Sequence, residues 1–158
     1  MVQATEIAKP RGERQIISTK DELLAAVVEI TSRAERTLAI MTPDLEPPIY
    51  EDVAFLDALK RFVLAKSFAR VRVLITDPER AMKNGNQFFQ MGSRLNSYIE
   101  FRSLKPELQP HDAAFCIADG RAVVYRARSD SWEGMVDTFA PPVAGKYLGL
   151  FDELWQAC

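Results

Sequence analysis

The sequence predicts one α/β domain, a mixed β-sheet flanked by helices, and three observations predict it. Two short β-branched runs, 37–41 and 71–75, are separated by an amphipathic helical stretch, an order that implies parallel strands joined by a right-handed crossover. Two further strand-like runs, 114–118 and 122–125, flank Asp119-Gly120, a dipeptide that favours a two-residue hairpin turn. The stretch 143–156 turns Tyr147, Leu148, Leu150, Phe151, Leu154 and Trp155 to one side, so it predicts a last helix laid on the sheet.

The elements follow from the local pattern. Residues 1–13 read as a flexible arm and 14–158 as the single domain; the start lacks the apolar stretch of a signal peptide. Thr19 and Glu22 stand at capping-box spacing, and Leu23, Leu24, Val27, Val28 and Thr31 follow at a helical period. The run 37–41 ends at Thr42-Pro43-Asp44, and the prolines of 45–50 predict a loop. A helix should open at Glu51-Asp52, acids suited to a helix N-terminus, with Phe55, Leu56, Leu59, Phe62 and Val63 on its core face. After the strand at 71–75, Asn84-Gly85-Asn86 weakens a third helix that carries Phe88, Met91 and Leu95. The alternating run 98–102 predicts another strand, and 131–142, with Trp132 and Pro141-Pro142, a long loop.

Composition narrows the function classes. A net charge of −2 argues against a general nucleic-acid binder. Two cysteines, Cys116 in an apolar run and Cys158 at the last position, make a disulfide framework improbable and fit a reducing cytoplasm. No apolar run approaches the ~18 residues needed to span a bilayer. Asp44, Glu46, Glu51 and Asp52 surround Pro47-Pro48 without His or Cys, so helix capping explains the last two better than a metal does. Neither a metal nor a cofactor is expected.

The stretch His111-Asp112-Ala113-Ala114-Phe115-Cys116-Ile117-Ala118-Asp119-Gly120 resembles the phospholipase D superfamily. There a strand opens with His-x-Lys, an Asp follows, and a Gly-Ser-x-Asn comes after the hairpin. His111 matches, and Asp119 matches with a one-residue offset. Ala113 holds the lysine position, and Tyr125-Arg126-Ala127-Arg128-Ser129 replaces the Gly-Ser-x-Asn. The likeness spans roughly residues 14 to 156 and implies one phospholipase D-like half-domain. The chain also resembles a bacterial family of degenerate domains of this type, some joined to acetyltransferase domains.

That resemblance implies a definite chemistry and a definite gap in it. The family uses one histidine as the nucleophile on phosphorus and a second as the general acid. Lysine, serine and asparagine side chains hold the phosphoryl oxygens, and losing one such preorganised donor costs ~10²–10³ in rate. Here the donors are missing, and His111 is the only histidine. A two-fold homodimer would pair two copies of His111 but would not restore the lysine. The expectation is a catalytically inactive binding or interaction domain, with an anionic or phosphate-containing ligand near His111, Arg126, Arg128 and Asp119. Two alternatives stand beside it. One is a dimeric phosphodiesterase with Arg126 or Arg128 in the lysine role; the other is a structural or regulatory partner of an acetyltransferase.

Each candidate also has a reading without a ligand. His111 is either an anion contact or a residue that merely opens a strand after Pro110. Arg126 and Arg128 would share one face if both lay on a strand, where they form either an anion clamp or a surface pair neutralised by Asp130 and Glu133. Residues 60–110 hold ten Lys/Arg against four Asp/Glu, which makes either a basic face or ordinary solvated surface. Cys116 reads as an inert core residue.

Overall fold

Thr19 Oγ1 accepts from the Glu22 N–H, and the Glu22 carboxylate accepts from the Thr19 N–H, so the predicted reciprocal cap starts the first helix. That helix, α1 (Lys20–Arg33), buries Leu23, Ala26, Val27, Ile30 and Thr31. The computed structural model of the chain describes residues 13–65, 67–83, 86–108 and 111–158. The arm expected at 1–13 lies, apart from Glu13, outside them.

The strands β1 (Arg14–Ile17), β2 (Thr37–Thr42), β3 (Arg70–Ile75), β4 (Ile99–Ser103), β5 (Ala114–Ala118), β6 (Ala122–Arg126) and β7 (Gly134–Asp137) form one sheet. Its order is β1-β7-β6-β5-β2-β3-β4. β2, β3 and β4 run parallel, and every other pairing is antiparallel. The sheet is therefore mixed, as the sequence predicts.

Both faces are covered, which explains why β2 and β5 read as near-continuous apolar runs rather than alternating ones. On one face α1 and α3 (Val53–Ala65) pack Leu23, Val27, Ile30, Phe55 and Leu59 onto Leu38, Ile40, Val71, Val73, Cys116 and Val124. On the other, α6 (Pro141–Gln156) sets Ala144, Phe151, Leu154 and Trp155 against Met41, Leu74, Phe115, Ile117 and Val123. Three short helices fill the connections: α2 (Pro47–Tyr50), α4 (Pro78–Lys83) and α5 (Gln87–Arg94).

Four local expectations are corrected. Residues 47–50 form a helical turn and not a loop, because proline suits the first helical positions, where no N–H is needed. The third helix divides into α4 and α5, and Asn86 caps the second piece by accepting from the Phe89 N–H. The supposed long loop at 131–142 contains β7, which pairs with both β6 and β1. A Cβ at Gly134 would strike the Tyr125 carbonyl and Arg126 Cγ, so glycine is what lets β7 approach β6. At the hairpin, Asp119 (φ 57°) and Gly120 (φ 68°) make the turn, but pairing resumes at Ala118↔Ala122, leaving three residues between the strands.

Candidate functional site

The strand directions place the candidates at two ends of the sheet. β2 and β3 point their carboxyl ends to the side where β5 begins and β6 ends. Open α/β sheets leave a ligand crevice at that end. His111, Arg126 and Arg128 lie there. Asp119 lies at the other end, in the turn after β5.

Asp119 has work of its own. Its carboxylate accepts from the backbone N–H groups of Glu35, Arg36 and Thr37 at 2.7 to 3.2 Å. It ties the end of α1 and the start of β2 to the hairpin. The structure does not bring it together with His111.

His111 stands at the rim of a groove of about 330 Å³, lined also by Pro43, Thr76, Asp77, Arg80 and Ser129. A second groove of about 360 Å³ shares Pro43, Arg80 and Ser129 with the first and reaches Asp44, Glu46, Asp130 and Trp132. Arg80, on α4, is the cation that sequence reasoning missed. It pairs with Asp44 at 2.9 Å, and only the fold shows that α4 follows β3 into the crevice. Ala113, at the expected lysine position, packs beside the α6 core with Phe115, so it offers the groove no charge.

The two arginines after the hairpin diverge. β6 ends at Arg126, so Arg128 lies in the following loop and the expected shared strand face is absent. Arg128 is exposed and pairs with Asp130 at 2.8 Å. Arg126 is 3% exposed. It lies opposite Ala114 in the ladder and, by alternation, on the side of Val124 and away from Phe115 and Tyr125. Its Nη2 donates to both oxygens of the Glu46 carboxylate at 2.7 and 2.6 Å. Nη1 donates to the carbonyls of Ser129 and Ser131 at 3.0 and 3.1 Å. The exposed Trp132 ring has its centroid 5.8 Å from the guanidinium carbon.

Glu46 completes this arrangement from the loop after β2. It is 6% exposed, accepts from Thr42 Oγ1 at 2.9 Å, and has its own N–H held by Asp44 at 3.1 Å. Burial pushes its carboxyl above the ordinary range, against the pull of Arg126 and Thr42. Leu45 and Glu46 both hold positive φ, 65° and 23°. For residues with a Cβ this is an unfavourable region, roughly 1 kcal/mol or more each.

The acidic groups around Pro47-Pro48 thus have separate duties. Glu46 meets Arg126, Asp44 meets Arg80, Glu51 accepts from Gln87 and Phe88 N–H at the start of α5, and Asp52 accepts from the Ala54 N–H. Among the described residues no three His, Cys, Asp or Glu side chains converge as a metal site, and no helix is long and apolar enough to cross a membrane. Cys116 is fully enclosed, and burial pushes its thiol far up.

Comparison with known proteins gives a family and a fold. Residues 19–158 match the family described as "Domain of unknown function (DUF7931)". No curated protein matches the chain. Among solved structures it is similar to Nuc, a phospholipase D family member from Salmonella typhimurium, with 18% identity and a TM-score of 0.64 over 92% of this chain and 95% of that one. It is similar to NucT from Helicobacter pylori, with 12% identity and a TM-score of 0.62 over 93% and 98%. TrmBL2, an archaeal chromatin protein with a novel mode of DNA binding, aligns at 16% identity and a TM-score of 0.64; it covers 99% of this chain, which spans 57% of TrmBL2. At these identities the likeness shows a phospholipase D-like fold.

Proposed function

The chain belongs to the DUF7931 family, and on its phospholipase D-like fold we propose a catalytically inactive domain that binds a ligand or partner in the groove at the carboxyl ends of β2 and β3. The observation that carries this reading is the buried pair between Glu46 and Arg126. Arg126, the arginine the sequence offers in place of the lysine lost at Ala113, lies on the opposite face of the sheet from Ala113, and an internal carboxylate holds its Nη2 while two backbone carbonyls hold its Nη1. Arg128, exposed and paired with Asp130, is not among the described residues that line the groove with His111.

This weighs against the dimeric phosphodiesterase. Two copies of His111 would supply the nucleophile and the acid, but among the described lining residues the charge that builds up on phosphorus would meet one cation, Arg80, already paired with Asp44. The groove also carries Asp77 and Asp112 beside His111 and Arg80. It therefore suits a ligand with a single anionic group better than a bare polyphosphate. A cytoplasmic homodimer, or a complex with an acetyltransferase, fits the same reading, and the groove would serve as its contact surface.

The test is hydrolysis of bis(p-nitrophenyl) phosphate by the purified protein and by His111→Ala, run beside thermal melting in phosphate, acetate and chloride at equal ionic strength. No turnover in either protein, together with an anion-dependent melting shift that His111→Ala or Arg80→Ala diminishes, is expected. Turnover abolished by His111→Ala would overturn the inactive reading. Melting curves identical in every anion would overturn the proposed single-anion ligand.

A further inference from the structure

The loop that supplies Glu46 has an unfavourable backbone shape, and the carboxylate it inserts is the group a ligand would imitate. The carboxylate of Glu46 receives two hydrogen bonds from Arg126 Nη2 and one from Thr42 Oγ1, which is the donor set of an anion site. Glu46 also lines the open 360 Å³ groove, beside Trp132, Pro48 and Asp130. The site therefore borders solvent on the side from which a ligand would come.

The geometry points to a carboxylate-binding site at Arg126, closed by Glu46 as a built-in occupant and opened when residues 44–46 swing outward. This deepens the proposed function and rests on it: it names the ligand class, a molecule or peptide end bearing one carboxylate, and the contact it must displace. Two features support displacement over a permanent pair. Leu45 and Glu46 hold positive φ, a strain that an opened loop is free to relieve. Opening has to break the remaining ties of the loop: the Asp44 carboxylate to the Glu46 N–H and to the largely exposed Arg80, the Ile49 and Tyr50 N–H groups to the Glu46 carbonyl, and the packing of Leu45, which is 2% exposed. Arg126, by contrast, stays anchored without Glu46, because Ser129 and Ser131 hold its other nitrogen. An incoming carboxylate would find the guanidinium already oriented, the condition under which binding loses least to ordering.

A ligand that binds only the open state must offset the closing free energy, so its apparent affinity falls by the open fraction. Free acetate and formate should therefore bind the intact protein weakly and a plug-free variant well. Glu46→Gly is the variant of choice, since glycine accepts the positive φ at this position while removing the side chain. Raising acetate from zero to 100 mM, at constant ionic strength with chloride, should lift its melting temperature by several degrees. The wild type should shift far less, by no more than its His111- and Arg80-dependent response, and Glu46→Gly/Arg126→Met no more than the wild type. If Glu46→Gly does not fold, Glu46→Ala, which also removes the occupying carboxylate, serves the same comparison.

A purely structural ion pair would also show rescue of a cavity, so the intact protein supplies the deciding readout. The N–H groups of Ile49 and Tyr50 both bond to the Glu46 carbonyl at 2.9 Å. In the wild type, molar acetate should speed their hydrogen exchange at least twofold relative to molar chloride, as the plug is displaced. Unchanged exchange, or a plug-free variant indifferent to acetate, overturns this inference. Either result leaves the absence of phosphodiester turnover standing, so failure here is distinct from failure of the inactive reading.

Discussion

Removing Arg126 should injure the protein more than removing any other charge at the groove, and Arg126→Met makes that quantitative. The side chains of Arg126 and Glu46 are 4% and 7% exposed. Methionine keeps most of the apolar stem but deletes the cation that meets the buried Glu46 carboxylate. Taking one partner from a buried pair costs ~3–5 kcal/mol, because the other charge stays desolvated. For a domain of this length each kcal/mol lowers the melting temperature by roughly 2–4 °C, so a fall of about 6–20 °C is expected. Urea unfolding followed by far-ultraviolet circular dichroism measures it. In Glu46→Gln/Arg126→Met both charges are gone, and about 2 kcal/mol of the loss should return as a coupling energy.

The pH dependence gives this prediction a sign. Burial already raises the Glu46 carboxyl in the folded protein, and without Arg126 it rises further. A group whose folded pKa lies above its unfolded value contributes stability that is full below the unfolded value, near 4.5 for this carboxyl. That contribution is lost as pH climbs through the folded value. The difference between wild type and Arg126→Met should therefore be smallest near pH 4 and grow towards pH 8. A loss below about 1 kcal/mol, independent of pH, would refute the reasoning that this pair is desolvated and mutually dependent.

Other outcomes follow from neighbouring contacts. Asp119→Ala removes the acceptor for three backbone N–H groups and puts alanine at φ 57°; it should cost ~2 kcal/mol in urea unfolding. Asp119→Asn, which tolerates that φ, should cost less, and neither change should alter an anion-dependent melting shift. Gly134→Ala drives a Cβ into the Tyr125 carbonyl and Arg126 Cγ, so it should cost ~1–3 kcal/mol and weaken the response of the groove to anions. A thiol reagent at pH 8 should label Cys158 in the native protein and reach Cys116 only after unfolding, since Cys116 is 1% exposed; two equivalents titrating natively would contradict the packing.

The fold was readable where a segment's own pattern decides its structure. The Thr19 to Glu22 cap, the apolar spacing of α1 and α3 and the hairpin signal at Asp119-Gly120 are local, and each produced the expected element. β7 escaped because its four residues, two of them apolar, carry no alternation, and its partners β1 and β6 are reached only through the folded sheet. α2 escaped because Pro47-Pro48 looks like a loop until it is placed at a helix start. The site was less readable still. His111, Arg126 and Arg128 lie at one end of the sheet, but neither arginine is among the residues that line the groove with His111. Arg126 finds its partner eighty positions away, and no spacing within either segment announces that Glu46 will be inside. Arg80 was hidden for the same reason.

On the proposed inactive reading, the distribution of contacts accounts for how such a scaffold would give up phosphodiester chemistry and keep its shape. The core lies on the two faces of the sheet, under α1 and α3 on one side and α6 on the other, whereas the groove lies at the strand ends and is built from connections. An alanine at the lysine position costs that core nothing; Ala113 simply packs beside Phe115. An arginine at 126 is different, because a guanidinium this deep cannot stand unpaired. A substrate anion would satisfy it only while bound. Glu46 satisfies it always, at the expense of two strained residues in the loop. The pair is thus stable as a unit and unfavourable in either half, which makes the groove a place where binding has to compete with the protein's own carboxylate.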